Sequence, residues 1–75
     1  ILTNIEVANA EGILTNKKFR NSCEKAQKEI LDFDGKILVR KSGTESLLRI
    51  LVESKESRVT EIHSKHLTEL AKELA

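Results

Sequence analysis

Two alternating apolar segments, Lys36–Lys41 and Leu47–Glu53, flank one short polar stretch, and this pair limits the fold more than any other feature. Period-two alternation marks half-buried strands, and so short a connection joins them only as an antiparallel hairpin. Side-chain parity then sorts the faces. With a four-residue loop, Ser42 to Glu45, Arg40 faces Ser46 or Leu47, and Leu38 faces about Arg49. Ile37, Val39, Leu48, Ile50 and Val52 share one apolar face, while Lys36, Leu38, Arg40, Leu47, Arg49 and Leu51 share the other. A slip of one residue would mix these sets.

The remaining elements must cover the apolar face. Ile1 to Val7 alternates as a short strand with Ile1, Thr3, Ile5 and Val7 on one side, and Asn9 to Gly12 reads as a turn. From about Asn16 to Leu31, Phe19, Cys23, Ala26 and Ile30 recur at helical spacing, with Thr15 or Asn16 as the cap. Asp32-Phe33-Asp34-Gly35 ends this helix, with Gly35 expected to take a positive φ. A last helix runs from about Lys55 to the end, with Ser54 as its cap. Its apolar stripe is Val59, Ile62, Leu67, Leu70, Ala71 and Leu74. Both helical stripes need the same sheet face, so the fold class is α+β. The expected architecture is an antiparallel sheet with two helices packed on one face, in the order β-α-β-β-α.

Composition excludes several functions. Thirteen basic residues against twelve acidic ones leave no electrostatic footprint for nucleic acid or an anionic membrane. Two aromatics, Phe19 and Phe33, are too few for a base-stacking platform. No apolar run approaches the ~18 residues that mark a membrane helix. The 75 residues make a single domain with no linker, repeat or low-complexity segment. A start at Ile1 rather than methionine suggests a piece of a longer protein. The lone Cys23 has no intramolecular partner for a disulfide, which fits a reducing compartment.

The hairpin loop carries the chemistry. Arg40-Lys41-Ser42-Gly43-Thr44-Glu45-Ser46, followed by Arg49, holds the parts of an anion site. Gly43 permits a sharp turn that aims successive N–H groups at one point, and Ser42 and Thr44 add hydroxyls. Arg40 and Arg49 project from the flanking strands on one face, and the guanidinium fork matches phosphate oxygens. Lys41 adds charge nearby. The same residues also have an ordinary explanation, since Ser-Gly-Thr is common turn chemistry and arginines often sit solvated at strand ends. Leu38, Leu47 and Leu51 around the arginines favour a face that meets something else.

Residues 35 to 53, Gly-Lys-Ile-Leu-Val-Arg-Lys-Ser-Gly-Thr-Glu-Ser-Leu-Leu-Arg-Ile-Leu-Val-Glu, resemble the last domain of the α-D-phosphohexomutases. That family's pattern is an arginine, one residue, Ser-Gly-Thr-Glu-Pro and a strand. The second arginine and the valine–glutamate ending resemble the phosphoglucosamine mutase branch in particular. The resemblance spans nearly the whole chain and implies a fold similar to TATA-binding protein. It implies a cytoplasmic, four-domain enzyme that moves a phosphoryl group between the 1- and 6-positions of a sugar. A phosphoserine and Mg²⁺ in other domains would do that chemistry, leaving this domain without catalytic residues, cofactor or metal, and inactive alone. By position, Arg40, Ser42, Gly43 and Thr44, supported by Arg49, would grip the non-reacting phosphate of the sugar. Glu45 would order the loop. Lys41 and Ser46 stand where the family usually has prolines, so the loop is expected to be less stiff.

Other signals are weaker. His63 and His66 lie one helical turn apart without further metal ligands, and half-buried histidines at a helix–sheet interface are expected. Cys23 reads as a core thiol, because nothing nearby lowers its pKa. The Ser22–Lys25 spacing matches Ser-x-x-Lys, but the companion motifs are missing. The competing functions are a phosphoglucomutase or phosphomannomutase with the same loop, and a module that binds RNA or another protein. The last lacks the sheet aromatics on which bases stack.

Overall fold

The computed structural model describes residues 1–75, and in it the two alternating segments form the expected hairpin. The elements are β1 (Leu2–Glu6), α1 (Ala10–Thr15), α2 (Lys17–Ile30), β2 (Lys36–Lys41), β3 (Leu47–Glu53) and α3 (Ser57–Leu74). One 3-10 turn, Leu31–Phe33, follows α2. The strands make one antiparallel sheet in the order β1-β3-β2. The fold is α+β. β3 lies at the centre, and its Leu48, Ile50 and Val52 are fully buried against helix residues that include Phe19, Ile30 and Leu67. The opposite face, with Leu2, Asn4, Leu38, Arg40, Arg49 and Leu51, carries no helix, and Asn4, Arg40 and Arg49 there are exposed.

The hairpin register differs from expectation by two residues. Arg40 pairs with Arg49 rather than Ser46 or Leu47, and Leu38 pairs with Leu51 rather than Arg49. A two-residue slip preserves side-chain parity, so every residue keeps the face its alternation assigned. The cause lies in both strand and loop. All six residues of β2 pair, which sets Ile37 against Val52 and Val39 against Ile50. The register expected from sequence would leave Val52 overhanging. The connection accordingly extends through Ser46, closed by Ser42 N donating to Leu47 O at 3.0 Å.

Where the sequence suggests a turn over Asn9–Gly12, the chain forms α1, so three helices rather than two cover the sheet. Asn9 caps it by accepting from Gly12 N at 3.0 Å, and Ile13 enters the core. Six residues are too few for periodicity to show, and Gly12 lowers the helical signal further. Asn16 ends α1 and caps α2 through Phe19 N at 3.1 Å, one of the two caps expected.

The reversal after α2 uses Asp34, not Gly35, in the left-handed region, with φ 52°. Gly35 is required for space instead. A Cβ there would lie 2.5 Å from the Ile30 carbonyl oxygen and equally close to its side chain. Gly35→Ala is therefore expected to destabilise the fold by about 1–3 kcal/mol through overpacking. Urea unfolding measures this, and an unchanged midpoint would contradict the close approach. Beyond Gly35, Gln27 finishes the exposed edge of β2. Its amide nitrogen donates to Gly35 O at 3.1 Å and its amide oxygen accepts from Ile37 N at 2.8 Å.

The last helix starts two residues later than expected and turns differently. Glu56, not Ser54, is its cap residue, while the Ser54 hydroxyl bonds Thr60 Oγ1 at 2.6 Å. Ile62 is 59% exposed, and Thr60 and Ser64 are buried where a purely apolar stripe was expected. Thr60, Ser64, Leu67 and Ala71 recur at steps of four, three and four, so the buried stripe includes two small hydroxyl residues that hydropathy alone passes over.

Candidate functional site

Local bonding shapes the hairpin loop. Ser42 Oγ accepts from Glu45 N at 3.3 Å, and Glu45 O accepts from Leu47 N at 2.9 Å. Glu45 thus braces the loop through its backbone, while its side chain is exposed. The N–H groups of Gly43 and Thr44 donate to nothing within the chain, and both residues are exposed. Gly43 does not have a positive φ, and a Cβ there would meet nothing within 4 Å. The fold therefore does not require glycine at this position. The two free amide donors there are open to solvent.

Arg40 and Arg49 are directly opposite each other on the bare face, and both are exposed. Ser42 and Leu47 form a hydrogen-bonded pair, so by alternation Arg40 and Arg49 do as well, with Cα atoms about 5.5 Å apart. Like charges directly opposed on one face destabilise a sheet by roughly 0.2–1 kcal/mol. Neither guanidinium has an acidic partner: the ion pairs of the chain are Lys41–Glu11, Lys55–Asp34 and His63–Glu29. Two unpaired cations beside free amide donors suit an anion with several acceptor oxygens.

Lys41 does not join them. By parity it lies on the helix side of the sheet, opposite Leu48, and its Nζ is 2.9 Å from Glu11 Oε2. The pair is more than half exposed on both sides, which limits its value, but it ties α1 to the strand that leads into the loop. The sequence conceals this because α1 itself is not legible there. Nothing in the sequence singles out Asn4. It stands beside Arg49 on the third strand and extends the polar row across the sheet.

The largest groove, about 500 Å³, lies elsewhere, between α2 and β2, and is lined by Leu14, Phe19, Cys23 and Val39 among others. It is on the helix side, away from the two arginines. Burial, aided by the neighbouring Glu24 carboxylate, pushes the Cys23 thiol up from 9.0 to about 11. Its alkylation rate is expected to stay low at pH 8 and climb towards pH 11, as followed with iodoacetamide. Because the folded pKa is raised, this thiol's contribution to stability is full below about pH 9 and is lost as pH rises towards 11. Fast modification at pH 7 would contradict that. His63 is half-buried, 3.4 Å from Glu29, whereas His66 is exposed rather than held at the interface as expected. No three His, Cys, Asp or Glu side chains are grouped to hold a metal ion, and no helix is long and apolar enough to cross a membrane.

Residues 2–74 match the family model described as phosphoglucomutase/phosphomannomutase, C-terminal domain. The chain belongs to this family. Among curated relatives, the phosphoglucosamine mutase of Limosilactobacillus fermentum is 34% identical over 73 residues, covering 97% of this chain and 16% of that protein. The phosphoglucosamine mutase of Lactobacillus johnsonii is 38% identical over 71 residues, covering 95% of this chain and 15% of that protein. The phosphoglucosamine mutase of Ligilactobacillus salivarius reaches 41% over 54 residues, covering 72% of this chain and 12% of that protein. The chain therefore spans about one sixth or less of the length of these relatives. Family membership agrees with the likeness seen in residues 35 to 53.

Proposed function

We propose that this chain is the phosphate-gripping domain of a phosphoglucosamine mutase, an isomerase that interconverts the 6- and 1-phosphates of glucosamine in the cytoplasm. The observation that carries the proposal is the pair of opposed, unpartnered guanidiniums of Arg40 and Arg49 beside the Ser42–Ser46 loop. A phosphate dianion there relieves the repulsion between them. Arg40 and Arg49 take its oxygens through charge-assisted bonds, and the free N–H groups of Gly43 and Thr44 close on another oxygen. The Thr44 hydroxyl donates as well, and Ser42, whose oxygen already accepts from Glu45 N, keeps its own hydrogen to give. The phosphate held here is the one that does not react, so the domain supplies orientation rather than bond chemistry.

Each charged hydrogen bond contributes roughly 1.5–3 kcal/mol. Two or three, against an association cost of about 4 kcal/mol or more, leave at best about −5 kcal/mol, so the domain alone binds weakly, at about millimolar affinity. Mg²⁺ would neutralise developing phosphoryl charge, and its ligands would come from outside this chain, as would the phosphoserine. By this reading the isolated domain is inactive. The test is an assay of the full polypeptide on the 6-phosphates of glucosamine, glucose and mannose. Fastest turnover of glucosamine 6-phosphate is expected. A preference for glucose or mannose would make it the sibling phosphoglucomutase or phosphomannomutase, and turnover of none would remove the mutase assignment.

A further inference from the structure

Resting on the phosphate grip proposed above, we infer that Asn4 is a substrate-positioning residue that binds a hydroxyl or ring substituent of the phosphosugar. The row across the bare face runs Arg40, Arg49, Asn4, one residue from each strand. Val7 N donates to Ser46 O and Val52 N to Ile1 O, so the odd-numbered residues of β1 form its hydrogen-bonded pairs with β3. Asn4 and Arg49 are then a non-hydrogen-bonded pair, with Cα atoms about 4.5 Å apart and side chains close. Asn4 is exposed, and its carboxamide makes no hydrogen bond within the chain.

The spacing decides what Asn4 meets. Strands lie about 4.8 Å apart, so Asn4 stands roughly 9–10 Å from Arg40 across the sheet. Both arginines are long enough to extend to a phosphate at the Gly43–Thr44 amides, beyond the end of the paired strands, where the short Asn4 carboxamide does not reach. A hexose ring attached to that phosphate and lying back across β3 comes within its reach. Chemistry points the same way. A guanidinium only donates, whereas an amide side chain both donates and accepts, which suits a hydroxyl or amine that does the same. Asn4 therefore reads the sugar and leaves the phosphate to the arginines.

The experiment titrates the 75-residue chain and its variants with inorganic phosphate and with glucosamine 6-phosphate, following amide shifts by NMR, with melting midpoints recorded alongside. Wild type is expected to bind the phosphosugar more tightly than phosphate. Asn4→Ala is expected to weaken phosphosugar binding about 3–10-fold, the value of one neutral hydrogen bond, while phosphate binding stays within twofold. Asn4→Gln retains the amide and is expected to recover part of the loss. Equal weakening for both ligands, or none for either, overturns the role of Asn4. Phosphate binding that survives Arg40→Ala, or is absent from wild type, overturns the grip itself and the inference with it.

Discussion

Leu48→Ala is expected to cost about 2–5 kcal/mol, the range for a large aliphatic side chain removed from a packed core. Leu48 is fully buried at the centre of β3, which pairs on both sides. A domain of 75 residues holds roughly 4–11 kcal/mol in total, so this one change removes a large part of its stability. The melting midpoint is expected to fall by about 8 °C or more, at about 4–8 °C per kcal/mol. Leu51, three residues on, is half-buried on the bare face. Leu51→Ala is expected to lower the midpoint far less. Equal losses at the two positions would contradict the division of faces.

Arg40→Ala is expected to lower kcat/KM of the full polypeptide about 10–100-fold, equivalent to one charge-assisted hydrogen bond of roughly 1.5–3 kcal/mol. Stability is expected to move the other way. Removing one of two directly opposed cations relieves repulsion of roughly 0.2–1 kcal/mol, so the variant should melt at the same temperature or slightly higher. A general disturbance of the fold cannot give that combination, because it would lower activity and midpoint together. Unchanged kcat/KM would remove Arg40 from the site.

Much of this architecture is legible in the sequence because alternation fixes parity. The division of Ile37, Val39, Leu48, Ile50 and Val52 from Leu38, Arg40, Arg49 and Leu51 follows from period two alone, and a two-residue slip in pairing leaves it intact. The register itself is not legible in that way. Loop length and strand overlap compensate for each other, and parity permits both pairings. The helix α1 escapes because six residues containing a glycine give no periodic signal. The same alternation already puts Lys41 with Ile37 and Val39 on the helix side of the sheet, away from the arginines. What the missing α1 hides is its partner there, Glu11. Gly35 and Gly43 show the limit from another direction. Glycine marks both as special, but only the folded chain distinguishes a close approach to Ile30 at Gly35 from open space at Gly43. Thr60 and Ser64 mislead for a related reason, since small hydroxyl residues are buried on α3 while Ile62 points outward.

The most direct test of the phosphate grip is an amide NMR titration of this chain with glucosamine 6-phosphate, using unphosphorylated glucosamine as the control. Saturating shifts at millimolar concentration, confined to Arg40–Ser46, Arg49 and their neighbours on the bare face and absent with glucosamine, are the expected result. Shifts that spare the loop and appear in the groove between α2 and β2, or that arise equally with glucosamine, would contradict it.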